Sequence, residues 1–244
     1  MKIGIFGDSF AEGSEYYDYS RQDLNSIVAW PDFLREEYEI YNHAKSSSSL
    51  FYSINSYKQS YRLYDKKIFI VTYPGRFELP RDIYETCNIE QDKFINNIPS
   101  LDLKIKKYQQ LNLNEIVKTF QAAKDYYRYL YDVDLQSYIH ELMINDIKTL
   151  EYHDNNTLII PVKSNDPNTF FMEQVLYFEN KHWGLDDESY NKLNFVDKRV
   201  CHMTIKNNFI FYQKIKEWID TGTFNVSIDD FEKPSLEDKR LYII

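Results

Sequence analysis

Cysteine is nearly absent. Cys87 and Cys201 are the only two among 244 residues, and they lie too far apart to form a C-x-x-C metal or redox spacing or a disulfide framework. A reducing compartment, the cytoplasm, is therefore expected. Positive charge is also short. Twenty-nine Lys and Arg against 38 acidic residues leave a net charge of −9, the wrong sign for neutralising phosphates, so no nucleic-acid partner is expected. No run approaches the roughly 20 apolar residues of a membrane helix, which excludes a helical span and a membrane partner. The first residues, Met1 to Asp8, contain no signal core of sufficient length, so they read as mature structure. His140-Glu141 lacks the second histidine of a zinc-protease helix, and Gly7-Asp8-Ser9 lacks the downstream Gly-Lys of a phosphate loop. Neither a metal, a cofactor nor nucleotide hydrolysis is expected. What the chain does hold in quantity is aromatic: 22 Tyr and 16 Phe. Such rings pack cores or line sugar-binding clefts, and core packing is the first expectation.

Glycine is scarce as well, six in all, about a third of the usual share of about 7%. Three of the six, Gly4, Gly7 and Gly13, fall at the very start. Lys2 to Phe6 reads as a buried strand ended by Gly7-Asp8-Ser9. Leu24 to Tyr38 follows with mostly helical spacing interrupted at Pro31, then a minimal strand at Glu39 to Tyr41 and a run of four serines, Ser46 to Ser49. Leu50, Ile54, Tyr57 and Tyr61 space out as a helix, and Lys67 to Thr72 is the most convincing strand, bounded by Tyr73-Pro74-Gly75. Strand, helix, strand, helix, strand is the rhythm of a parallel sheet with crossover helices.

From Arg76 to Asn112 the pattern dissolves, with Pro80 and Pro99, and residues 77–113 read as a helical or irregular insertion or lid. Asn114 to Asp132 and Asp134 to Leu150 read as two helices, the second with Leu135, Ile139, Leu142, Ile147 and Leu150 largely on one face. Thr157 to Val162 is a further strand, and Phe170 to Phe178 is ambiguous between strand and helix. Met203 to Asp220 is helical, with Thr204 as N-cap and Gly222 just past the end. The expected architecture is a single α/β domain over residues 1–222, a flavodoxin-like three-layer α/β/α sandwich with a mainly parallel sheet, and a tail over 223–244 packed on its surface.

Ligands of an open parallel sheet bind outside the carboxyl ends of the strands. Gly7-Asp8-Ser9, the serine run and Tyr73-Pro74-Gly75-Arg76 converge there, and Asp197 and His202 precede the final helix. A serine becomes nucleophilic when a histidine takes its proton, and a carboxylate fixes the histidine tautomer. These residues resemble the SGNH or GDSL hydrolases, in particular small bacterial and phage members. Gly7-Asp8-Ser9-Phe10 after the first strand is similar to the family's Gly-Asp-Ser-Leu block, and Asn42 to Ser48 to its second block, with Ser47 where the family places a glycine. Thr72 to Arg76 is similar to the third block, with Tyr73 where an asparagine is usual, and Asp197 to His202 to the last block, although the family's spacing from aspartate to histidine is three rather than five.

The resemblance implies Ser9 as nucleophile, His202 as base and Asp197 as its orienting carboxylate. The N–H groups of Ser9 and Ser47 would bind the oxyanion, with Tyr73 as a third donor. The implied reaction is hydrolysis of a small O-acyl ester, with acetyl groups on carbohydrate the first substrates to try. Asp8, Arg76, Tyr16 and Tyr17 are candidates for substrate contact, Arg76 alternatively being a solvated loop residue and the tyrosines alternatively fastening a loop. A second reading uses the same scaffold for binding or assembly without catalysis, because Tyr73 departs from the usual oxyanion donor.

Overall fold

The computed structural model describes residues 1–13, 29–79, 83, 94–95, 98–152, 156–164, 169–175 and 203–233. Tyr16, Tyr17, Asp197 and His202 lie outside the described residues, as do residues 24–28 of the expected first helix.

Four strands, β1 (Lys2–Phe6), β2 (Glu39–Asn42), β3 (Lys66–Val71) and β6 (Thr157–Pro161), form one sheet in the order β2-β1-β3-β6. Every pairing is parallel, with Ile3 opposite Ile40, Ile5 opposite Ile68 and Phe69 opposite Ile159. Parallel neighbours need crossovers, and helices supply them. Between the strands run α1 (Trp30–Arg35) and α2 (Leu50–Ser60), and after β3 come β4 (Phe77–Glu78), β5 (Phe94–Ile95), α3 (Ile98–Gln110), α4 (Asn114–Tyr129) and α5 (Val133–Tyr152). The last helix is α6 (Ile205–Thr221).

Alternation along the strands sorts the core into two layers. Ile3, Ile5, Ile68, Ile70, Leu158 and Ile160 face α1 and α6, meeting Trp30, Leu34, Phe211, Ile215 and Trp218. Phe6, Phe69 and Val71 point the other way and meet Leu50, Ile54 and Tyr57 of α2 and Ile147 of α5. A sheet buried on both faces explains why β3 reads as an unbroken apolar run. The protein is thus an α/β fold with an all-parallel sheet covered by helices on both sides. Residues Phe224, Val226 and Phe231 beyond α6 pack against the α1–α6 layer, so the start of the tail is part of the body.

Two expectations change in the structure. The stretch after β3, expected as a helical or irregular insertion, takes the helical alternative over Ile98–Gln110. A two-stranded antiparallel ribbon, β4 with β5, packs with α3 and α4 around a third apolar cluster of Leu79, Ile95, Leu101, Ile105, Tyr108, Ile116 and Phe120. That cluster continues through Ala123 of α4, past residue 113. The second correction concerns α5, whose apolar residues do not share one face. Met143, Ile144, Ile147 and Leu150 turn to the sheet, whereas Leu135, Ile139 and Leu142 are exposed. Phe170 to Val175 holds a short helical turn at 173–175, with Met172 and Val175 buried.

Candidate functional site

Chain order reverses between β1 and β3: from β1 the chain crosses to β2 on one side and then returns to β3 on the other. A crevice opens outside the carboxyl ends of strands at such a point. The loops after β1, β2 and β3 all reach it.

Gly7 makes the turn out of β1. Its φ is 149°, and a Cβ there would lie 2.8 Å from the Ile70 side chain and 3.0 Å from Ile70 O, so both conformation and space require glycine. Asp8 follows, fully buried. Its Oδ1 accepts the Phe10 N–H at 3.0 Å, and its Oδ2 accepts the Thr72 hydroxyl and the Arg76 guanidinium, each at 2.6 Å. Asp8 therefore uses both carboxylate oxygens within the protein, and Arg76, 16% exposed as a side chain, is its ion-pair partner. The turn is fastened elsewhere too: Ala11 N–H donates to Asp8 O, Trp30 Nε1 to Phe10 O at 2.7 Å, and Asn42 Nδ2 to Ala11 O at 2.8 Å. Ser9 is the partly exposed residue of this turn, between buried Asp8 and buried Phe10.

The second loop docks on the first. Lys45 N–H and the Ser48 hydroxyl both donate to Gly7 O, at 3.2 and 3.0 Å. Between them Ser47 has φ 64°, the left-handed conformation that glycine adopts without strain. The last serine of the run has a local role, since Ser49 is the N-cap of α2, its hydroxyl accepting the Tyr52 N–H at 3.1 Å. The left-handed backbone costs a non-glycine residue about 1–2 kcal/mol. Ser47→Gly is therefore expected to hold or raise thermal stability, by up to about 1 kcal/mol once the extra freedom of the unfolded chain is counted. Ser47→Val, β-branched at positive φ, is expected to lower it. A melting-temperature series of the three proteins checks the order.

The third loop carries Tyr73, whose ring is partly buried against the α1–α6 layer, with the Arg76 guanidinium carbon 4.9 Å from its centre. Gly75 has φ 80° and lies against Tyr131, whose hydroxyl would be 2.2 Å from an added Cβ. The Tyr127 hydroxyl donates to Gly75 O, and burial raises the Tyr127 pKa well above the ordinary phenol value. These two tyrosines tie the loop to α4 and the turn after it.

The chain matches no protein-family model and no curated protein.

The start of α6 belongs to the same neighbourhood. Thr204 is its N-cap, with the hydroxyl accepting the Asn207 N–H, and Gly222 is its left-handed C-cap, as the sequence suggests. Asn208 Nδ2 donates to Met203 O, and its Oδ1 accepts the Trp30 N–H at 3.1 Å. Trp30 thus links the head of α6 to Phe10 O, beside Ser9.

No ligand spacing singles out His140 in the sequence, yet α5 brings its Nε2 to 2.7 Å from Thr72 O. Donation to that carbonyl puts the proton on Nε2 and leaves Nδ1 as the acceptor. His43, after β2, stacks on Phe6 at 5.0 Å and bonds the Tyr64 hydroxyl at 2.5 Å. Burial lowers the pKa of both histidines, opposed at His140 by the Thr72 carbonyl and Glu141. Unfolded histidine titrates near about 6.5, so the stability these neutral rings contribute is complete above that value. It is lost as pH falls through their lower folded values. The melting temperature is expected to drop as pH falls below about 6.5, and His140→Gln to show a shallower acid-side loss than the wild type. Parallel profiles for the two proteins would remove His140 from the account. Among the described residues no three His, Cys, Asp or Glu side chains group as metal ligands, and no helix is long and apolar enough to cross a membrane.

Proposed function

We propose that the chain is a serine hydrolase of the SGNH type, with a flavodoxin-like strand order, that cleaves a small O-acyl ester through an acyl-enzyme on Ser9. The observation that carries the reading is the Gly7-Asp8-Ser9 turn itself: it sits where the sheet order reverses, is held at nearly every peptide, and leaves Ser9 as its partly exposed member. A second support is the backbone at Ser47. The resemblance assigns that position to glycine, and the left-handed φ is one that glycine favours.

In the proposed reaction the Ser9 oxygen attacks the ester carbonyl while His202 takes the hydroxyl proton and Asp197 orients the imidazole. The tetrahedral oxyanion is bound by the N–H groups of Ser9 and Ser47. Collapse expels the alcohol, which receives the proton from the imidazolium, and water then repeats the sequence to free the acid. The support for drawing the base from just before α6 is the short path from Met203 O through Asn208 and Trp30 to Phe10 O. Small acyl groups on a carbohydrate are the proposed substrates, with the resemblance as their basis.

A fluorophosphonate probe tests the reading. Labelling confined to Ser9, found by mass spectrometry of the digested protein, is the expected result. No labelling of Ser9 would favour the alternative, a binding or assembly protein on the same scaffold. One observation speaks for that alternative: the Tyr73 ring is engaged by packing and by Arg76.

A further inference from the structure

Arg76 holds more donors than the fold uses. A guanidinium carries five N–H groups, yet both hydrogen bonds that Arg76 makes among the described residues leave from one nitrogen. Its Nη1 donates to Asp8 Oδ2 at 2.6 Å and to Thr72 Oγ1 at 2.8 Å. Among the described residues Nε and Nη2 make none, and neither is shut away from solvent. The Nε–H and one N–H of Nη2 point the same way in the guanidinium plane, and that edge meets a carboxylate with two parallel hydrogen bonds. The group is fixed in orientation as well as in place. Asp8 and Thr72 hold its Nη1 end, and the Tyr73 ring lies against it, 4.9 Å from ring centre to guanidinium carbon.

We infer that Arg76 is the specificity-determining residue of the candidate site, its Nε–Nη2 edge taking a carboxylate carried by the ester. The inference rests on the hydrolase reading for the reaction and adds the class of substrate, an ester that bears one carboxylate. Charge supports it. Asp8 spreads its negative charge over three donors, the Arg76 guanidinium, the Thr72 hydroxyl and the Phe10 N–H, so the ion pair does not use up the cation. The Arg76 side chain is only 16% exposed, and a charge-assisted bond gains strength where water is largely excluded. A fixed cation at the crevice also offsets the net charge of −9, which otherwise repels an anionic ester. Asp8 directly precedes Ser9 and consecutive Cα atoms are about 3.8 Å apart, so the edge lies on the order of 10 Å from the Ser9 hydroxyl. A short dicarboxylic half-ester spans that distance, as does the acetate of a hydroxybenzoate.

Three phenyl esters test the inference: phenyl acetate, which is neutral, phenyl hydrogen succinate, with the carboxylate on the acyl side, and 4-acetoxybenzoate, with it on the alcohol side. After correction for spontaneous hydrolysis, at least one anionic ester is expected to exceed phenyl acetate in kcat/KM by about 10-fold or more. Which one does so identifies the side. Arg76→Lys keeps a cation for Asp8 but has no second edge, so the advantage is expected to vanish in that variant, with its melting temperature showing that it is folded. An advantage retained by folded Arg76→Lys would overturn the inference, as would turnover by the wild type with no anionic preference.

Binding separates this inference from the reaction. Succinanilic acid and 4-acetamidobenzoate are the matching carboxylate amides, and acetanilide is the neutral one. In the full chain labelled with 15N-arginine, the assigned Arg76 Nε–H resonance is expected to shift with at least one carboxylate amide and not with acetanilide. A shift without turnover of any ester would defeat the hydrolase reading and leave the carboxylate site standing. No shift at about 10 mM, well above a millimolar dissociation constant, would overturn the site even if the esters are hydrolysed. Both the ester comparison and the titration are read on the wild type, so they decide the matter even if Arg76→Lys fails to fold.

Discussion

Ser9→Ala is expected to lower hydrolysis of a short-chain aryl acetate by at least about 10³-fold, because in the proposed reaction Ser9 is the nucleophile and its removal disables every group that acts with it. The residual rate would be what oxyanion donors and binding supply alone. The variant should fold normally. Ser9 is partly exposed in a turn whose fixed points are Asp8, Phe10 and Ala11, and those anchors survive the loss of one hydroxyl. Rate and melting temperature together separate chemistry from folding: a lost rate with an unchanged melting temperature is the expected outcome, and an unchanged rate would defeat the hydrolase reading.

Arg76→Ala is expected to have the largest effect on stability, about 3–5 kcal/mol, which is the usual cost of removing one partner of a buried ion pair. The fully buried Asp8 carboxylate would keep only the Thr72 hydroxyl and the Phe10 N–H. Most of the loss is the penalty of leaving that charge without its cation. Asp8→Asn on top of Arg76→Ala should therefore cost much less than the two single losses added, and a denaturant double-mutant cycle measures the difference. Additive losses would show that the pair does not act as a unit. Since Asp8 is the anchor of the turn that carries Ser9, fluorophosphonate labelling of Arg76→Ala should also slow under conditions where the variant remains folded.

The parts of this molecule that sequence made legible are those specified by neighbours along the chain. Lys66–Val71 is β-branched, apolar and followed by Pro-Gly, so it reads as a strand and is one. Thr204 and Gly222 bracket α6 through capping chemistry that spans only a few residues. Ile98–Gln110 was hidden because Leu101, Ile105 and Tyr108 are diluted by lysines and preceded by two prolines. Pro99 in fact sits in the first turn of that helix, where a missing N–H costs nothing. On α5 two adjacent apolar strips, one inward and one outward, merge into a single stripe when only the spacing is read. In the site, Gly7-Asp8-Ser9 was visible because a tight turn after a strand is a local signal. The Asp8–Arg76 pair and the His140–Thr72 contact each join residues 68 apart in sequence. Composition and periodicity carry no information at that range.

The sheet order also sets a timetable for the growing chain. Once residue 71 has left the ribosome, β1, β2 and β3 can pair, but β3 has no neighbour on its other side until Thr157–Pro161 is made. At about 5–20 residues per second that wait is on the order of ten seconds. Meanwhile the backbone of Ile68, Phe69 and Ile70 presents an unpaired apolar edge, the kind of surface that templates association between nascent chains. The intervening α3 and α4 gather their own apolar cluster from residues close in sequence, so they can collapse early and locally. The insertion that delays closure of the sheet is thus built to fold during the delay it causes.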